Sequence, residues 1–169
     1  MPPAQEPVRV YVAAGSNVDP VAHLQRAVRA LRASFPDLVC SRAYANRAVG
    51  FEGADFVNLV VGFTTRCALA DVLAVLHAIE ADCGRPRQAP KWAPRTMDLD
   101  VLLYGDLVGT FPGVVLPRPD LLKRAYMLGP LAEIAPDAVH PTAHATIGEL
   151  WSRFDRDAHA LRVVPGFGE

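Results

Sequence analysis

Short strand-like runs and helical stripes alternate along the first 104 residues, and this alternation limits the fold more than any other feature. Val8 to Ala14 is β-branched, apolar and halted by Gly15, which predicts a buried strand. Asp19-Pro20 reads as a helix start, and Val21, Leu24, Ala27, Val28 and Leu31 follow at helical spacing until Phe35-Pro36-Asp37 stops them. Leu38 to Tyr44 predicts a second strand, Asn46 to Asp55 a loop, and Phe56 to Thr65 a third strand rich in Val, Phe and Thr. Leu69, Val72, Leu73, Leu76 and Ile79 form a second helical stripe, closed by Gly84. Arg85 to Pro94 is a loop, and Asp98 to Tyr104 is a fourth strand. The order β-α-β-β-α-β predicts an α+β, ferredoxin-like core: an antiparallel sheet with two helices on one face.

The rest, Gly105 to Glu169, is Pro-rich, with helical patches near Met127–Ile134 and Thr146–Phe154. It reads as an elaboration of the same core. A chain of 169 residues with 51% hydrophobic content fits one domain spanning 1–169, with a core of about 8–141 and a C-terminal extension over 142–169.

Net charge is −1, which argues against a bulk electrostatic grip on nucleic acid or anionic lipid. The third strand also lacks the aromatic-Gly-aromatic pattern of a sheet that stacks RNA bases. Cys40, Cys67 and Cys83 are widely spaced and odd in number, so reduced core thiols are expected. The first residues show neither a basic nor an apolar leader region, and no apolar run is long enough to span a bilayer. A cytoplasmic protein is expected, and His23, His140, His144 and His159 are expected in loops or at the surface.

The chemistry concentrates between Gly84 and Tyr104. Asp98 and Asp100 are two apart on a strand, so their carboxylates share a face with Cα atoms about 7 Å apart. Two such anions repel, and a hard divalent cation removes the penalty; carboxylate and phosphate oxygens together suit Mg2+. Arg85, Arg87, Lys91 and Arg95 lie just upstream, in a stretch without Asp or Glu. Guanidinium forks match phosphate oxygens, so metal ligands beside arginines are what phosphoryl transfer requires. The Gly-x-x-x-x-Gly-Lys-Ser/Thr loop is absent, which excludes a P-loop enzyme.

Several stretches in order resemble the 6-hydroxymethyl-7,8-dihydropterin pyrophosphokinase family of folate biosynthesis. They are Ala14-Gly15-Ser16-Asn17, Asp55-Phe56-Val57-Asn58, Glu80 followed by Gly84-Arg85-x-Arg87, Trp92 through Gly105, Pro117 through Leu128, and Pro130 through Pro136. The resemblance runs from about Val10 to Pro141. It implies an ATP-dependent enzyme in which the pterin hydroxymethyl oxygen attacks the β-phosphorus of ATP, pyrophosphate moves as a unit and AMP leaves. It implies two Mg2+ ions held by Asp98 and Asp100, with Arg85 and Arg95 on the moving phosphates. By the same resemblance, His77, Glu80, Arg87 and Trp92 flank the nucleotide, together with Val101, Arg118 and Arg124. Asn46, Val49, Phe56 and Asn58 face the pterin, with Trp92 and Tyr126. Asn58 would hydrogen-bond the flat ring, and Phe56 and Tyr126 would pack near its face. A monomer without nucleic-acid or membrane partners is expected. The chain departs from the family at Tyr44–Gly50 and at Pro117-Arg118-Pro119, where Pro-His is usual; Arg118 would meet phosphate as a fixed cation. A divergent relative acting on a modified pterin, or a non-catalytic binder, is the alternative.

Overall fold

β1 (Val8–Ser16) is flanked on both sides in an antiparallel sheet, seen in a computed structural model that describes residues 6–46, 56–84, 97–155 and 161–168. It pairs with β4 (Phe56–Thr65) on one side and β5 (Asp98–Tyr104) on the other. β3 (Ala43–Asn46) and β8 (Arg162–Val164) extend the sheet beyond β4, giving the order β5-β1-β4-β3-β8, and the short β2 (Val39–Cys40) also pairs with β4.

Alternation along these strands separates two cores. On one face, Val10, Val12 and Ala14 of β1 and Leu59, Val61 and Phe63 of β4 pack with α1 (Pro20–Ser34) and α2 (Leu69–Asp82). The helices contribute the expected stripes: Leu24, Ala27, Val28 and Leu31 from α1, and Val72, Leu76 and Ile79 from α2. Full burial of one such Leu or Phe is worth about 1.5–3 kcal/mol relative to exposure. On the other face, Tyr11, Ala13, Val60, Leu102 and Leu103 meet α3 (Ala125–Ile134) and α4 (Ile147–Ser152). The expected core had helices on one face only. The C-terminal part supplies the second helical layer, because a sheet apolar on both faces must be covered on both.

The expected strand Leu38–Tyr44 is two strands. Cys40 stands opposite Val61 but Tyr44 stands opposite Asn58, so one extra residue bulges out between them. Ser41 fills the gap: its N–H donates to the Val60 carbonyl at 2.9 Å, and its hydroxyl accepts the Val60 N–H at 3.0 Å. Asp19 does not cap α1 with its side chain; it has φ 41° and Pro20 opens the helix. Gly84, at φ +87°, follows α2 as expected of a residue in the left-handed region.

The stretch after Gly105 holds more than helical patches. β6 (Gly109–Phe111) and β7 (Val114–Leu116) form a hairpin, and a 3-10 turn covers Pro119–Leu122. Thr146 caps α4 by accepting the Glu149 N–H at 3.2 Å. β8 joins the main sheet and Phe167 is buried in the α1/α2 core, so the extension also closes the sheet edge.

The expectations for the histidines and cysteines hold in part. His140 lies in a loop as expected but is 2% exposed; its Nδ1 accepts the Thr142 and Ala143 N–H groups at 3.3 and 3.0 Å, and burial lowers its pKa. His144 is exposed, His23 sits half-buried in α1 rather than in a loop, and His159 lies outside the described residues. The three cysteines are free, but only Cys83 is buried; Cys40 is half-buried, its thiol pushed up to about 11 by burial, and Cys67 is exposed at the end of β4. Among the described residues, no helix is long and apolar enough to cross a membrane.

Candidate active site

One row of the sheet runs Asp98, Gly15, Asn58, Tyr44 across β5, β1, β4 and β3, and the next places Asp100 beside Ala13 and Val60. Paired residues in an antiparallel sheet share a face. Leu99 and Val101 belong to the α1/α2 core, so Asp98 and Asp100 face the α3 side, both half-buried. Asn58 takes the same face, between Val57 and Leu59. Gly15 separates the two polar groups without filling the space between them. A Cβ there would stand 2.4 Å from Asn58 Oδ1, so the Asn58 amide lies over the β1 backbone only because position 15 has no side chain.

The Asn58 amide nitrogen donates to Asn46 Oδ1 at the end of β3, which fixes the orientation of both side chains. β3 is tied in turn to α3 through Glu133. Its carboxylate accepts the Arg42 N–H at 2.7 Å, the Arg42 Nε–H at 3.3 Å and the Tyr44 hydroxyl. Phe56 is half-buried at the start of β4. Tyr126, in the first turn of α3, is half-buried too; burial pushes its phenol above the ordinary value of 10, against the opposing pull of the Arg124 guanidinium.

A second irregularity brings cations to the carboxylates. Tyr11 pairs with Leu103 but Val12 pairs with Val101, so Leu102 is an extra residue in β5. Its carbonyl accepts the Arg118 N–H at 3.0 Å. Arg118 then points Nη1 at Asp100 Oδ1, 3.3 Å away, with Nη2 3.8 Å from Asp120 Oδ2. Arg124 sits at the N-cap of α3. The Nε atoms of Arg118 and Arg124 are both buried without a hydrogen-bond partner among the described residues. Buried donors of this kind suit an anionic ligand whose oxygens complete them.

Two of the expected nucleotide-side residues have buried side chains. Glu80 is 8% exposed and accepts the Leu99 N–H at 2.9 Å. β5 is an edge strand, so its outward N–H groups need partners, and Glu80 supplies one between the two aspartates. Val101 is 1% exposed and its side chain belongs to the α1/α2 core. His77 is exposed on α2, one turn before Glu80. Val49, Arg85, Arg87, Trp92 and Arg95 lie outside the described residues.

Sequence reasoning overlooked Glu133, Tyr44 and Asp120. Glu133 had a visible signal, a lone acid in the apolar run Met127–Ile134. The signal for Asp120 was its place two residues after Arg118. Tyr44 carried none, since its role depends on the β2–β3 bulge.

A family model described as 7,8-dihydro-6-hydroxymethylpterin-pyrophosphokinase matches residues 11–136. The chain belongs to this pyrophosphokinase family. It is 39% identical over 158 residues to the 2-amino-4-hydroxy-6-hydroxymethyldihydropteridine pyrophosphokinase of Synechocystis sp., covering 92% of this chain and 80% of that protein. It is 39% identical over 134 residues to the Pseudomonas aeruginosa protein of the same name, covering 76% of this chain and 82% of the relative. Among solved structures, Plasmodium falciparum HPPK-DHPS with pterin and p-hydroxybenzoate superposes with a TM-score of 0.70 at 13% identity, covering 88% of this chain and 43% of that one. At that identity the likeness concerns the fold alone, and the chain spans less than half of that longer protein. The matched segment contains both aspartates, Asn58, Arg118 and Arg124, so the pyrophosphokinase family and the polar row coincide in the chain.

Proposed function

We propose that the chain transfers pyrophosphate from ATP to 6-hydroxymethyl-7,8-dihydropterin, giving the pterin diphosphate and AMP, with Mg2+ held by Asp98 and Asp100. The observation that carries this reading is the row Asp98–Gly15–Asn58 on one sheet face, in a chain of the pyrophosphokinase family.

The residues fit the metal. Two hard carboxylates share a face, and the adjoining orphaned Nε donors of Arg118 and Arg124 suit phosphate oxygens. Among the described residues no group of three or more acidic, His or Cys side chains gathers anywhere, so the pair needs phosphate and water oxygens to complete a coordination sphere, as Mg2+ sites commonly do. Bound Mg2+ would neutralise charge on the phosphate oxygens and align the triphosphate.

The remaining work belongs to side chains. Arg118 and Arg124 offer donors to the nucleotide phosphates from the α3 side, and Arg85 and Arg95 meet the transferring groups. Asn58, held by Asn46, presents its amide to the pterin edge, where one group must both donate and accept. Phe56 and Tyr126 supply aromatic faces for the ring. The pterin would then lie along β4 and the phosphates along β5, with Gly15 leaving room between them, so that proximity supplies much of the rate. Glu80 acts through β5, setting the strand that carries both aspartates.

Incubation with ATP, Mg2+ and the hydroxymethyl dihydropterin, with the nucleotides resolved by chromatography, tests the reading. Pterin-dependent AMP is expected. ADP, or turnover indifferent to the pterin, would refute it.

A further inference from the structure

Arg118 is held at both ends of its main chain. Its N–H donates to the bulged Leu102 carbonyl at 3.0 Å, and its carbonyl accepts the N–H of the fully buried Leu121 at 3.1 Å. The guanidinium therefore reaches Asp100 from a fixed base, with its side chain 30% exposed and that of Asp100 25% exposed. Asp120 flanks it on the other side at 3.8 Å. This is an ion pair built into the frame of the site, and one of its members is a proposed metal ligand.

A guanidinium and a divalent cation compete for the same carboxylate oxygen. Arginine cannot lose its proton in the physiological range, so competition ends only when the guanidinium finds another anion. A triphosphate is such an anion. The Nε of Arg118 is buried and without a hydrogen-bond partner among the described residues, so a phosphate oxygen would occupy a donor that the pair with Asp100 leaves unused. Moving from carboxylate to phosphate therefore adds a hydrogen bond to the arginine.

We propose that Arg118 is a built-in counter-ion of Asp100 which a nucleotide triphosphate draws away, so that Asp100 becomes available to a divalent cation only as the nucleotide binds. The proposal rests on the reading of Asp98 and Asp100 as metal ligands. Arg118 then couples the two ligands: each favours the other, because both favour the state in which Arg118 has left Asp100. The nucleotide-free protein is kept from holding an idle metal ion.

The test is a Mn2+ titration of the nucleotide-free protein, followed through the electron paramagnetic resonance signal of the free ion. Relative to the unaltered chain, Arg118→Gln should bind Mn2+ about twofold to fivefold more tightly, the range expected for release of a partly exposed ion pair. Arg118→Ala serves if the Gln variant does not fold. Arg124→Gln removes a nearby charge that is not paired with Asp100, and should have a smaller effect. In EDTA, the urea midpoint of the Arg118→Gln/Asp100→Asn double variant should fall by less than the sum of the single changes. Mn2+ affinity unchanged or weakened in Arg118→Gln, an equal gain in Arg124→Gln, or additive urea midpoints would each overturn the proposal. If Asp98→Asn and Asp100→Asn abolish Mn2+ binding while Arg118→Gln leaves it unmoved, this inference alone fails. If neither aspartate affects Mn2+ binding in the presence of a non-hydrolysable ATP analogue, the metal reading fails and this inference with it.

Discussion

Met97, Leu99 and Val101 in and next to β5, and Val57 and Leu59 of β4, are buried against α1 and α2; the residues between them, Asp98, Asp100 and Asn58, face the opposite side. Farther along, that opposite face is also apolar, with Tyr11, Val60, Leu102 and Leu103 packed under α3. Polar groups thus collect at one end of one face. Because side chains alternate with a period of two, slipping β5 by one residue would exchange leucine for aspartate in the core, so the hydrophobic face holds the register of the chemical one. The bulge at Leu102 then resets the phase, and the rest of β5 can serve both cores.

The sharpest way to break the comparison is to neutralise the polar face without touching the apolar one. Asp98→Asn or Asp100→Asn should lower kcat by about 10³-fold, read as AMP released per minute, while the protein stays folded by circular dichroism. The reciprocal change, Leu59→Ala, should cost about 2–5 kcal/mol in urea unfolding, while turnover per folded molecule stays near that of the unaltered chain.

Gly15→Ala addresses the place where the faces meet. The new Cβ would push the Asn58 amide aside, so the pterin KM should rise about tenfold with the ATP KM little changed. A matched rise in both would mean that Gly15 serves the strand generally. The smallest effect concerns His140, in the loop between α3 and α4. Its folded pKa is depressed below the ordinary 6.5, so the unfolded chain takes up the extra proton. Its contribution to stability is complete above about pH 6.5 and declines as pH falls through the lowered folded value. Melting temperatures of the unaltered chain and His140→Gln should therefore converge as pH drops from 7.5 to 5.

The scaffold was largely legible because its signals are local. Val8–Ala14, the α1 stripe, Phe56–Thr65 and the α2 stripe each announce themselves within one window. The β2–β3 split was hidden because Ser41 imitates a ladder partner through its hydroxyl, which becomes visible only once Val60 is opposite. β8 was hidden for the same reason: three residues are too few for a pattern and need β3 to define them. In the site, the Asp98–Asp100 pair was readable from spacing, and its facing is seen in the register. The burial of Glu80 and Val101 was not readable, because it depends on the edge-strand N–H of Leu99 and on the α1/α2 core.

The central event is pyrophosphate moving as one unit from ATP to the pterin. ATP labelled with ³²P at the β-phosphorus follows this directly in a single turnover with the hydroxymethyl dihydropterin. All transferred label is predicted on the pterin product, with unlabelled AMP as the nucleotide product. Label retained in ADP, with only the γ-phosphate moved, would contradict it.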